Sequence, residues 1–135
     1  MGFTVSLTAL ADKFKADIAT IVSKTTLLTF ASVIKRSPVD TGRFKGNWNA
    51  SFQVPVYSFD ERKDRSPLNT LGPLSEEKVR GVLTLPVGGI TYLSNGLPYA
   101  ARLEDGHSQK QAPSGMVRLT VIEFDTFVQE AIKAA

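Results

Sequence analysis

A long run of apolar residues at helical spacing, stopped by a proline, constrains this chain more than any other feature. From Leu7 onward, Leu10, Phe14, Ile18, Ile21, Val22, Leu28, Ala31 and Ile34 recur mostly at steps of three or four. That spacing places them on one face of a helix. Lys13, Lys15, Asp17 and Lys24 fall mostly on the other face. Ser6 or Thr8 is positioned to cap the start, its side-chain oxygen accepting a hydrogen bond from a free backbone N–H. Lys35-Arg36 suit the negative end of the helix dipole, and Pro38 ends the helix because it cannot donate to the backbone ladder. At about 1.5 Å per residue such a helix is about 40 Å long, more than a compact domain of this size needs for its own core. Part of it is expected to contact something outside its own domain.

Beyond the helix the period changes. Pro38-Val39-Asp40-Thr41-Gly42 predicts a turn: Pro fixes φ, Asp can bond its own backbone and Gly accepts positive φ. Asn47 to Val56 alternates, with Trp48, Ala50, Phe52, Val54 and Val56 on one side and polar residues on the other, so a half-buried strand is expected. Trp48 should then be buried against the long helix, on one strand face with Phe52 and Val54. Tyr57 to Pro73 has no sustained period and holds the charge run Asp60-Glu61-Arg62-Lys63-Asp64-Arg65, which predicts a long exposed loop. Leu74 to Leu83 predicts a short helix with Ser75 as the start of an imperfect capping box, Lys78 standing where Glu is usual. A bulged approach then leads to a short strand, Ile90 to Ser94, closed by Asn95-Gly96. Tyr99 to Glu104 predicts about one helical turn after Pro98, broken by Gly106. Met116 to Lys133 predicts a second amphipathic helix with Ser114 as its N-cap. Gly42 and Gly106 should hold backbone conformations that other residues resist.

The composition narrows the function. At 135 residues, one core spanning residues 1–135 is the expectation. With no cysteine, disulfides, thiolate metal sites and cysteine nucleophiles are excluded. No run of about 18 uninterrupted apolar residues occurs, and the N-terminus lacks a basic region followed by an apolar stretch, so a chain with no membrane partner is expected. Sixteen basic and thirteen acidic residues give a net charge of +3. That is too mild and interspersed for nucleic acid to lead as a partner, although a small nucleic-acid-binding module is the alternative reading.

Four constellations bear on chemistry. His107 lies beside Glu104 and Asp105, but a metal site needs three or four converging ligands and the chain has one imidazole. No serine sits in a nucleophile-elbow pattern, and Gly88-Gly89 and Gly96 belong to no phosphate-binding glycine motif. Arg43-Phe44-Lys45 with Trp48 resembles a base-stacking platform, yet the alternation makes Trp48 a core anchor first. Asp60 to Arg65 has three acids and three bases, so its local charge is zero and it reads as a solvated loop. Such a loop offers little apolar area to offset ordering, and is expected to order only when a neighbouring copy docks on it. Its six residues form a candidate interface loop, whose deletion should leave the fold nearly as stable.

The segments Ser37-Pro38-Val39-Asp40-Thr41-Gly42-Arg43-Phe44-Lys45-Gly46-Asn47-Trp48 and Tyr92-Leu93-Ser94-Asn95-Gly96-Leu97-Pro98-Tyr99-Ala100-Ala101-Arg102-Leu103-Glu104-Asp105-Gly106-His107-Ser108 carry a resemblance, continued in order by Gln111-Ala112-Pro113-Ser114-Gly115-Met116-Val117-Arg118. Together they resemble the bacteriophage neck and tail-completion family, the group similar to the lambda minor tail protein Z. Asp40-Thr41-Gly42 also matches the catalytic turn of aspartic proteases. Those enzymes need two such carboxylates in symmetric halves, whereas Asp40 is unpaired and follows a long helix. The resemblance covers most of the chain from about Ser6, but nothing in Tyr57 to Pro73.

The resemblance implies an α+β subunit, with helices packed on a small antiparallel sheet. It implies a structural virion protein, not an enzyme, needing no cofactor and forming a ring of identical copies in the neck of a long-tailed phage. Implied partners are further copies, the head connector, and tail terminator or tail tube proteins, with DNA passing through the ring without sequence-specific contact. Implied locations are the virion neck and, during assembly, the host cytoplasm. The matching positions are Asp40, Thr41, Gly42, Trp48, Asn95, Pro98, Tyr99, Glu104 and Gly106, read as corner residues that set subunit shape and then as contacts.

Overall fold

The structure is a computed structural model describing residues 2–106, 111, 112 and 114–134; the side chains of residues 2–11, 13, 14 and 16 lie outside the description. It is an α+β fold of helices packed on a two-stranded antiparallel sheet. Helix α1 spans Gly2–Lys35, α2 Arg43–Gly46, strand β1 Asn49–Phe52, and α3 Pro73–Gly81, which tightens into a 3-10 turn at Val82–Thr84. Strand β2 spans Thr91–Ser94, α4 Ala100–Glu104, α5 Val117–Ile122 and α6 Phe124–Ala134.

Helix α1 starts upstream of the expected caps. Its backbone is helical from Gly2, so Ser6 and Thr8 lie inside it. No proline precedes them to break the ladder. At its other end, Phe30, Ala31, Ser32, Val33 and Ile34 are all buried in succession. Burial on every side, rather than on one face, follows because α3, the 3-10 turn, α5 and α6 all pack on this helix. Further back, Asp17, Ile18, Thr20 and Val22 are exposed. The segment Asp17–Lys35 is long and apolar enough, by length and composition, to cross a membrane, and a third of it is buried within the fold.

The sheet pairs Asn49 with Ser94, Ala50 with Leu93, Ser51 with Tyr92 and Phe52 with Thr91. Strand β1 is shorter than its alternation predicts. Gln53 adopts φ of 67°, a left-handed conformation uncommon outside glycine, and turns the chain out of the sheet. Its amide holds the end closed: Gln53 N donates to Ile90 O at 2.7 Å, and Ile90 N donates to Gln53 Oε1 at 3.0 Å. Val54 is therefore 67% exposed and does not share a buried face with Trp48. Trp48 itself is buried, packed in one core with Ala31, Ile34, Phe44, Val79, Leu97 and Met116.

The C-terminal amphipathic helix is two helices. Glu123 breaks it, with φ of −93° and ψ of 4°, and Arg36 reaches that break to pair with the Glu123 carboxylate at 2.6 Å. Thr120 is buried on α5 and shares a 2.9 Å hydrogen bond with Ser32 of α1. This polar contact fixes where α5 crosses α1. Helix α6 packs along α1, and Ala131 and Ala134 in its last turns line the same groove as Ala19, Thr20 and Ser23.

Candidate assembly site

The corner that carries the motif residues is built around the four-residue helix α2. Gly42, with φ of 87°, begins it in the left-handed region that favours glycine. The side-chain bond expected of Asp40 is made by its neighbour instead: Arg43 N donates to Thr41 Oγ1 at 3.3 Å. Asp40 and Thr41 are exposed, whereas Gly42 is buried beneath residues 60–72.

That loop is tied down from within. Gly42 O accepts from both Gly46 N at 2.9 Å and Asp64 N at 2.8 Å. A Cβ at Gly42 would stand 2.5 Å from Asp64 O, so only glycine permits the approach. Asn47, fully buried, donates to Arg43 O, Asp60 O and Arg62 O and accepts from Asp60 N. Asp64 is also buried, its carboxylate accepting from Ser66 N at 2.9 Å, Gly72 N at 3.1 Å and the Ser75 hydroxyl. The expectation that Asp60 to Arg65 waits for a partner to order it is corrected here. The run has balanced charge, but one of its acids faces inward and holds three donors. Asp60, Glu61, Lys63 and Arg65 remain exposed, and Arg62 is half-buried.

Ser75 therefore does not cap α3; Gly72 precedes the helix in extended conformation, with Pro73 at its first position. Two lysines complete the corner. Lys45 is almost wholly buried, and its ammonium donates to Ser66 O, Ser66 Oγ and Pro67 O. Burial pushes its pKa below the usual lysine value, with Asp64 opposing the shift. Lys78 donates to Gly46 O at 2.6 Å and Trp48 O at 2.8 Å, carbonyls left open where α2 ends. Burial, with Arg62 nearby, lowers its pKa to about 8. Asp64 moves the other way from the usual buried acid: burial raises it, but the Ser66, Ser75 and Gly72 donors outweigh burial and hold it below the ordinary carboxylate value.

The second motif segment comes back to this corner. Asn95 donates to Phe44 O at 2.9 Å across 51 residues of sequence and accepts from Leu97 N at 3.2 Å. The Phe44 ring meets Trp48 edge-on at 5.6 Å and Tyr99 at 6.1 Å. Gln111 acts as a strand neighbour to Val39, accepting from its N–H at 2.7 Å and donating to its carbonyl at 3.0 Å. Pro98 is exposed at the turn into α4, and Gly106, with φ of 90°, ends that helix.

Glu104 has a role that residue spacing alone did not show. Its carboxylate accepts from Met116 N and Val117 N at 2.8 Å and from Arg118 N at 2.9 Å. It caps α5 in place of Ser114, which is exposed. Gly115, with φ of 82°, lets the chain pass close to the Glu104 backbone.

The motif residues thus converge, with Asp40, Thr41, Gly42, Phe44, Tyr99 and Leu103 among those lining one pocket of about 240 Å³. Trp48 and Asn95 back it through Phe44, whereas Glu104 bonds to the start of α5 and is not among its lining residues. Asp64, Lys78, Gln111 and Ser37 escaped the sequence reading as structural keystones; the one available signal was Lys78 at the off-pattern position of the capping box. Among the described residues no three metal-ligating side chains gather, and His107 lies outside them. Comparison with protein-family models, with curated proteins and with solved structures finds no match to this chain.

Proposed function

We propose that this chain is a structural virion subunit of a long-tailed bacteriophage, forming a homo-oligomeric ring in the neck that completes the tail and joins it to the head connector. The motif resemblance supports this reading, as does the convergence of both motif segments on one corner. The observation that carries it is the presence of two unlike apolar surfaces on one subunit. One lies where the chain leaves the sheet, with Val54 67% and Ile90 59% exposed. The other lies on α5 and the start of α6, with Val121 65%, Ile122 72% and Phe124 47% exposed.

A ring of identical copies uses heterologous contacts, in which each subunit offers one surface and receives a different one. Apolar side chains left exposed in groups stabilise association when covered. Helix α1 adds reach. Its backbone continues from Asp17 back to Gly2, about 22 Å at 1.5 Å per residue. In this reading the N-terminal half of α1 spans toward a neighbouring copy or toward the connector and tail proteins.

Salt separates this reading from nucleic-acid binding. Phosphate contacts weaken steeply with ionic strength through counterion release, whereas apolar contacts do not. Negative-stain images of the purified chain at about 50 and about 500 mM salt should show rings of one diameter in both. Salt-sensitive duplex binding without rings would overturn the proposal.

A further inference from the structure

We propose that the pocket beside Asp40 receives a lysine or arginine side chain from a second copy of this chain; the choice of occupant rests on the ring reading above. Asp40 is exposed and has no hydrogen bond or ion pair among the described residues. Elsewhere Glu61, Asp60, Glu76 and Glu123 each have an arginine partner. Arg65 reaches the same turn, donating to Thr41 O at 3.3 Å, yet forms no ion pair with Asp40.

The rest of the pocket suits a long basic side chain. Pro38 and Leu103 supply apolar walls, along which the methylenes of lysine or arginine can lie. Tyr99, 38% exposed, presents ring surface on which a cation is attracted to the aromatic quadrupole, with the buried Phe44 ring packed beside it. Gln111 is taken up by both polar groups of Val39, so Asp40 is the charged group that selects the occupant. An anionic ligand would meet a carboxylate and no cation among the described lining residues. A bare divalent ion would find one carboxylate where such ions require several oxygen ligands.

Charge complementarity identifies the second copy as the source. The chain has three more basic than acidic residues. Lys63, Arg102, Arg118 and Lys133 are exposed and carry no ion pair among the described residues. In an assembly of copies, one copy's base that lacks an ion pair can meet another copy's Asp40. The pair would fix register more than it adds affinity.

The test uses the full chain and two probes, N-acetyl-arginine amide and its neutral isostere N-acetyl-citrulline amide. NMR signals of the Tyr99 and Phe44 rings should shift saturably with the arginine probe, not with citrulline, and not in Asp40→Asn. Sedimentation of Asp40→Asn should show self-association about tenfold weaker, with an unchanged melting temperature. Equal response to both probes, or rings that form unchanged in Asp40→Asn, would overturn the pocket while leaving the ring reading intact. A chain that binds the arginine probe at Asp40 but never self-associates would overturn the second-copy occupant together with the ring.

Discussion

Trp48 donates its indole N–H to the Ser37 hydroxyl across 2.8 Å, and Ser37 donates in turn to Val33 O at 3.0 Å, just past the end of α1. All three residues are buried. The bond joins the approach to β1 to the end of the long helix, so one side chain both fills the core and sets the angle between the elements. Trp48→Ala should cost about 3 to 5 kcal/mol in urea unfolding. Trp48→Phe keeps a ring but leaves Ser37 without its donor, and should cost about 1 kcal/mol from that bond in addition to the lost packing. Equal stability of Trp48→Ala and the parent chain would refute the placement.

Asp64 should behave as a core residue despite its charged neighbours. Asp64→Ala orphans the Ser66 and Gly72 N–H groups and the Ser75 hydroxyl, and is expected to cost about 3 to 5 kcal/mol. Deleting residues 60–65 should destabilise the fold for the same reason, contrary to the expectation for a tolerated loop. The pH dependence has a definite sign. Because the folded-state pKa lies below the unfolded one, Asp64 contributes stability that is present above about pH 4 and lost as pH falls through the folded value. Acid unfolding of Asp64→Asn should therefore begin from lower stability and fall less steeply than that of the parent chain.

Glu104 gives a cleaner test of a capping role. Glu104→Gln keeps the shape but removes the charge that three N–H groups share at the start of α5. A loss of about 1 to 2 kcal/mol is expected, within the usual range for helix caps. Hydrogen exchange at Met116, Val117 and Arg118 should quicken in the variant while exchange in β1 stays unchanged. Protection that stays the same at all three amides would show that the cap is dispensable.

Lys78 titrates with the same sign as Asp64 but in an alkaline window. Its folded pKa of about 8 lies below the unfolded lysine value, so between about pH 8 and 10 the unfolded chain binds more protons. Stability from this group rises with pH over that window. Lys78→Met should flatten the rise, measured as urea midpoints at successive pH values. A parent chain whose stability shows no upward component that Lys78→Met removes would contradict the burial of this ammonium.

The main helices and the existence of the two strands were legible because they follow from period and from Pro and Gly positions, whereas an antiparallel sheet was implied only by the resemblance and its register appears only in the structure. Gly42 and Gly106 adopt positive φ where turn chemistry placed them. What stayed hidden were contacts whose partners are distant in sequence. Alternation extended β1 to Val56 because it cannot register that Gln53 turns left-handed and spends its amide on Ile90. A run of six charges reads as solvated because composition does not say which acid faces inward. The C-terminal period ran straight through Glu123, since a single break pinned by Arg36 leaves the apolar spacing intact on either side. The motif corner was legible as two segments but not as one site, which Asn95 and Gln111 create by bonding across the fold.

The mass of the assembled particle tests the central claim most directly. Native mass spectrometry of the purified chain, over a range of concentrations, should give one closed stoichiometry in equilibrium with monomer and little between, because a ring that closes satisfies every heterologous surface at once. A chain that stays monomeric at every concentration, or forms an open ladder of sizes without a preferred closed species, would contradict the account.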